Sequence, residues 1–214
     1  MDKNLEIELR YGTQRFKSAS AGLIALSKEL EKKPKAVVPI LRTNLHRYLT
    51  AVARAMATKH GTPYPGGTTN ASLSRRSGQA VASILASPEV RGVKLSTITG
   101  AVGGVGYLNI HEDGGFLYPE SGQYIAVPLP AALNANGTPK RPGPSFWANT
   151  FVFTSKKGNK LVARKIGTNL ELLYVLKKQV YIRPRLGMGA AINKGMNFFI
   201  DNVIDAMAAE ILDV

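Results

Sequence analysis

Residues 149–166 read NTFVFTSKKGNKLVARKI, and this stretch decides the fold. Two alternating runs, Asn149 to Thr154 and Lys160 to Ile166, flank Lys156-Lys157-Gly158-Asn159, whose Gly and Asn tolerate the backbone of a tight turn. The pattern predicts a β-hairpin. Downstream, Leu172 to Ile182 (LLYVLKKQVYI) predicts one more strand, closed by Pro184. After Gly187 and Gly189, Ile192, Met196, Phe199, Ile200, Val203, Met207 and Ile211 recur every three or four residues, the stripe of a terminal helix.

Upstream of the hairpin, residues 112–146 predict a long Pro/Gly-rich loop. Seven Gly and Pro fall in the 17 positions from Pro128 to Pro144, and only Tyr124 to Val127 reads as a short strand. Before it, Val93, Leu95 and Thr97 alternate like a strand, and Tyr107, Leu108 and Ile110 lead as another into His111. Gly61 to Ser72 (GTPYPGGTTNAS) is a loop, after which Ser72 or Ser74 is placed to cap a helix bearing Leu73, Ala80, Val81 and Ile84. Leu41, Leu45, Tyr48, Leu49, Val52 and Met56 mark a long helix. An earlier helix from about Gln14, with Phe16, Leu23, Leu26 and Leu30 on one face, ends before Pro34. The first strand has Leu5, Ile7, Leu9 and Tyr11 on one side and is ended by Gly12. Strand, helices, strands and a final helix make an α+β domain, a mostly antiparallel sheet covered by the N-terminal helices and the C-terminal helix. With no repeat and no sharp composition break, 1–214 reads as a single domain.

The chain has 44% apolar residues and a formal charge of +14, enough core to exclude wholesale disorder. Without cysteine there is no disulfide framework, thiolate metal site or Cys nucleophile. The start MDKNLEIELR lacks a secretory apolar run, and no window approaches a membrane span, so a cytoplasmic origin and no membrane partner are expected.

His111-Glu112-Asp113 is the one cluster suggesting acid–base or metal chemistry. Adjacent strand residues point to opposite faces, so the expectation is a strand end running into a Gly114-Gly115 turn. Gly103-Gly104-Val105-Gly106 and Tyr64-Pro65-Gly66-Gly67-Thr68 lack the spacing of a phosphate loop, and no GxSxG or HExxH is present. No catalytic residue, cofactor or metal is expected.

From Lys140 to Arg185, eleven basic residues stand against Glu171 alone, so +10 of the +14 belongs to this segment. Lys140, Arg141, Lys156, Lys157, Lys160, Arg164, Lys165, Arg183 and Arg185 are the candidates for subunit or lumen contacts. The same segment supports an alternative reading as a basic nucleic-acid-binding protein, although no DNA- or RNA-reading motif is present.

Four places in order carry a family resemblance: the N-terminal strand and helices; Leu73-Ser74-Arg75-Arg76-Ser77-Gly78; Tyr107 through His111-Glu112-Asp113-Gly114-Gly115; and Leu173-Tyr174-Val175-Leu176 through Val180-Tyr181-Ile182-Arg183-Pro184-Arg185. They resemble the Leu-x-Arg-x-Ser/Thr-Gly, Gly-Tyr with His-Glu-x-Gly, and strand-to-Pro-Arg elements of the minor tail protein Z and virion morphogenesis families of tailed bacteriophages. The resemblance implies a structural, non-catalytic subunit of the neck or the head-proximal end of the tail, assembled in the host cytoplasm. It implies a homo-oligomeric ring, with six copies the expected number, between head-connector and tail-tube or tail-terminator proteins, and weak contact with genomic DNA. His111-Glu112 would be a structural turn, and Arg183-Pro184-Arg185 would lead into the last helix.

Overall fold

The computed structural model describes residues 9–11, 14–16, 28, 32 and 34–212. The fold is α+β with antiparallel pairing in every named strand pair. In place of one sheet, the described strands form a four-stranded sheet and three two-stranded ones. The chain also groups into two compact units, the first comprising Met1–Val52, Pro88–Val102 and Ile192–Val214, the second Ala53–Ser87 and Gly103–Ala191.

In the first unit, β1 (Leu9–Tyr11) pairs with β2 (Gln14–Phe16), Leu9 opposite Phe16. The helix expected from Gln14 therefore does not begin there. A three-residue strand satisfies its backbone groups only beside a partner, and Gln14–Phe16 is the nearest one. Lys28 and Lys32 are helical, whereas Leu23, Leu26 and Leu30, like Leu5 and Ile7 before them, lie outside the described residues. α1 (Pro34–Lys59) starts on a proline, whose missing N–H costs a first turn nothing. Its Val37, Ile40 and Leu41 pack with Phe199, Val203 and Met207 of the terminal helix. Tyr48 stacks on Phe199 with ring centroids 5.0 Å apart and donates its hydroxyl to the Ile192 carbonyl.

The strand expected over Val93 to Thr97 is instead the connection between β3 (Glu89–Arg91) and β4 (Thr99–Ala101), with Leu95–Thr97 a 3₁₀ turn. Gly92 decides this. It has φ +92°, and a Cβ there would lie 2.2 Å from the Thr97 oxygen, so the chain must turn where the apolar alternation suggested it would run straight.

In the second unit, α2 (Gln79–Leu85) begins later than expected, with Ser77 Oγ accepting from the Gln79 N–H. Ser72 and Ser74 are engaged in the preceding loop, bonded to the Gly67 carbonyl and to Thr68 Oγ1, and do not cap it. Gly106 to Asp113 is helical rather than a strand: a 3₁₀ turn (Gly106–Leu108) runs into α3 (Asn109–Asp113), with Leu108 alone buried.

β5 (Gly115–Leu117) pairs with β10 (Val180–Ile182), and β6 (Ile125–Pro128), β9 (Asn169–Lys177), β8 (Lys160–Ile166) and β7 (Thr150–Thr154) form the larger sheet in that order. The expected strand from Leu172 to Ile182 is thus two strands that part after Lys177 into different sheets. The expected hairpin is present with regular pairing, and the register shifts instead between β8 and β9, where Leu173 is the extra residue opposite Val162 and Ala163.

The Pro/Gly stretch is not a free excursion. Leu129 donates to the Leu173 carbonyl, Lys140 to the Ala132 carbonyl, and Asn134 and Thr138 close a turn. Ala132 is fully buried with Val162, Leu173 and Tyr174, and Trp147 packs on them with its Nε1 donating to the Tyr174 hydroxyl at 3.0 Å. Each large apolar side chain taken from water in this way contributes ~1.5–3 kcal/mol. The last helix is α4 (Met188–Leu212). Among the described residues no helix is long and apolar enough to cross a membrane.

Candidate functional site

Three segments far apart in sequence meet in the second unit. The loop after α1 closes on itself through Arg75 N–H to the Thr62 carbonyl at 2.8 Å and Tyr64 N–H to the Arg75 carbonyl at 3.0 Å, which fixes Leu73 to Gly78. α3 ends at Gly114, with φ +72°, and a Cβ there would lie 2.7 Å from Pro184 Cδ, so glycine lets α3 abut the strand leaving β10. The His111 carbonyl accepts both Arg185 N–H and Leu186 N–H at 2.7 Å.

Glu112 completes this junction. Its two oxygens accept from Met188 N–H at 2.7 Å and Gly189 N–H at 2.9 Å, covering free donors of the first turn of α4 with a negative charge. His111-Glu112 is a structural corner, formed by a helix end rather than by a strand end.

His60 ties in the third segment. Although it is a polar side chain, it is only 3% exposed. Its Nδ1 accepts from Leu73 N–H, and its Nε2 faces the Leu186 carbonyl, both at 3.0 Å. A carbonyl can only accept and an N–H can only donate, so the imidazole is neutral with its proton on Nε2. Burial pushes its pKa down, and the neighbouring Lys59 acts in the same direction. The Lys59 ammonium donates to the same carbonyl at 2.8 Å. The His111 pKa is lowered too, by burial and then by the Arg185 charge.

Between these segments lies a cavity of about 410 Å³. Leu73, Val81, Ile84, Leu108 and Leu186 give it an apolar wall, and Arg75, Arg76, Arg185, His60 and His111 give it a basic one. Among the described residues no carboxylate lines it. Arg76 is committed, donating to the Gly137 carbonyl at 2.9 Å with its guanidinium 4.9 Å from the Tyr64 ring centre. Among the described residues, no group of three or more His, Asp or Glu is arranged to hold a metal ion.

Only one of the nine basic candidates, Arg185, lines this cavity. Arg164 forms a 2.5 Å ion pair with Glu171 and lies 4.7 Å from the Trp147 ring centre. Lys140 donates to the Ala131 carbonyl, and Lys160 to the Tyr124 hydroxyl. Lys156 and Lys157 occupy the hairpin turn, and they, Arg141, Lys165 and Arg183 are exposed. The +10 segment is therefore not a single patch of free cations. The sequence does carry a signal for His60: it lies four residues past Met56 and so continues the buried stripe of α1.

No family model matches the chain, and neither a curated protein nor a solved structure matches it.

Proposed function

We propose that the protein is a structural subunit of a tailed-bacteriophage virion, a ring-forming head–tail joining or tail-completion protein of the neck. The observation that carries this reading is the meeting of Leu73–Gly78, Tyr107–Gly115 and Ile182–Arg185 around the His111 carbonyl and the cavity, because these are the segments on which the resemblance rests. The Glu112 carboxylate and the His111 main-chain carbonyl hold backbone there, as a non-catalytic role requires. Exposed aromatics support assembly: Phe116, Tyr118 and Tyr181 form a cluster on β5–β10 and are 52%, 64% and 54% exposed. A closed ring joins two different patches on successive copies, and this cluster is a surface that a second copy would cover.

Light scattering of the purified chain and electron-microscope images of particle necks test the reading. Closed rings are expected, and a monomer in both settings would overturn it. The alternative, a basic nucleic-acid-binding protein, draws on exposed Arg141, Lys156, Lys157, Lys165 and Arg183. It requires retention on DNA at low salt that falls steeply as salt is added.

A further inference from the structure

We infer that the cavity between the Leu73–Gly78 loop, α3 and the Arg185 segment is a binding site for a phosphate monoester. Two of its lining side chains carry the argument. Arg185 Nε and His111 Nδ1 are both buried without a hydrogen-bond partner among the described residues. Buried polar groups are paired almost everywhere in folded proteins, and an unpaired donor on a charged group is among the costliest exceptions.

Charge narrows the occupant. Arg75, Arg76 and Arg185 line the cavity with no carboxylate among the described lining residues. Arg76 is held by Gly137 and Tyr64, while the Arg75 guanidinium has no hydrogen bond or ion pair among the described residues. Water could fill the bonding vacancies but would bring no negative charge to the guanidiniums of Arg185, which is half-buried, and Arg75, which is exposed at the rim. A monocarboxylate would offset one of them. A phosphate monoester, carrying about −1.5 to −2 near neutral pH with three acceptor oxygens, matches both charge and donor number.

Size and wall chemistry supply the rest of the ligand. About 410 Å³ is far more than an inorganic ion fills and lies in the range of small-molecule sites. The wall of Leu73, Val81 and Ile84 suits an apolar or aromatic body bearing the phosphate. That phosphate could belong to a free small ester or to the 5′ end of a nucleic acid. The site is built within one chain, so this inference stands whether or not the chain forms rings.

Calorimetry on the full chain at low salt tests it, with phenyl phosphate, inorganic phosphate, benzoate and matched oligonucleotides bearing a 5′-phosphate or a 5′-hydroxyl. Phenyl phosphate is expected to bind more tightly than inorganic phosphate or benzoate. Arg75→Gln and Arg185→Gln should each weaken it by roughly tenfold or more, as loss of a charged hydrogen bond does. Lys194→Gln, on the exposed side of α4, should not change it. Preference for the 5′-phosphorylated oligonucleotide would assign the phosphate to nucleic acid, and tighter binding of phenyl phosphate than of either oligonucleotide would assign it to a small ester. Absence of binding at millimolar phenyl phosphate by chain that circular dichroism shows folded would overturn the proposal. Equal affinity for benzoate, or equal weakening by Lys194→Gln, would do so too. Should Arg185→Gln fail to fold, Arg75→Gln decides, because the exposed Arg75 side chain makes none of the backbone bonds of its loop.

Discussion

Between Thr154 and Ile166 the hairpin carries Lys156, Lys157, Lys160, Arg164 and Lys165 within a short run of sequence, whereas the cavity gathers Arg75, Arg76 and Arg185 from opposite ends of their unit. In the hairpin, close spacing in sequence does not produce a common field. Alternation sends neighbouring side chains to opposite faces, the turn holds two lysines in solvent, and Arg164 is neutralised by Glu171. In the cavity three cations share one space with His60 and His111 and, among the described residues, no acid. Density of charge along a chain is therefore a poor guide to density of charge in space.

That contrast can be broken by substitution, and the largest effect is expected in the cavity wall. Ile84 is fully buried, and Ile84→Ala should cost ~2–5 kcal/mol in urea unfolding, as core truncations do. A cost below about 1 kcal/mol would show that the wall is loosely packed. His60→Ala comes next. It leaves the Leu73 N–H without its acceptor and removes one of two donors from the Leu186 carbonyl, for ~1–3 kcal/mol.

The histidines also give the cavity a pH signature that the hairpin lacks. Both imidazole pKa values lie below the ordinary 6.5, so below that pH the unfolded chain takes up protons that the folded chain refuses. Their contribution to stability is full above pH 6.5 and is lost as pH falls from there through the lowered folded values. The urea midpoint should therefore drop between about pH 7 and pH 5, and less steeply in His111→Gln. An unchanged slope in that variant would remove His111 from the account.

In the hairpin the effects shrink. Arg164→Ala loses a partly exposed ion pair and a contact with Trp147, together ~1 kcal/mol. Lys157→Ala should stay within about 0.5 kcal/mol by the same urea measurement, since the Lys157 side chain is exposed. A larger cost at Lys157 than at Arg164 would reverse the comparison.

How much was legible in the sequence varied with the range of the interactions involved. The hairpin at 150–166 and α4 were readable because turn chemistry and periodicity act over a few residues. The alternation over Val93 to Thr97 suggests a strand, but Gly92 requires a turn. Leu172 to Ile182 reads as one strand because nothing in LLYVLKKQVYI marks where hydrogen-bond partners change. The stretch from Pro128 to Pro144 showed correctly that it could hold no long helix or strand. It gave no sign that Ala132 and Trp147 would cover the sheet, since that depends on the shape of the surface beneath them.

The sequence by itself determined the α+β class, the hairpin, the long helices and the concentration of positive charge between Lys140 and Arg185. The tertiary structure alone decided which of those charges act together. Local patterns are set by backbone torsion and the alternation of a few side chains, whereas the cavity exists because the His111 carbonyl, the Glu112 carboxylate and both nitrogens of His60 each bond a distant segment. Those pairings satisfy buried polar groups, and no spacing within a single segment encodes them.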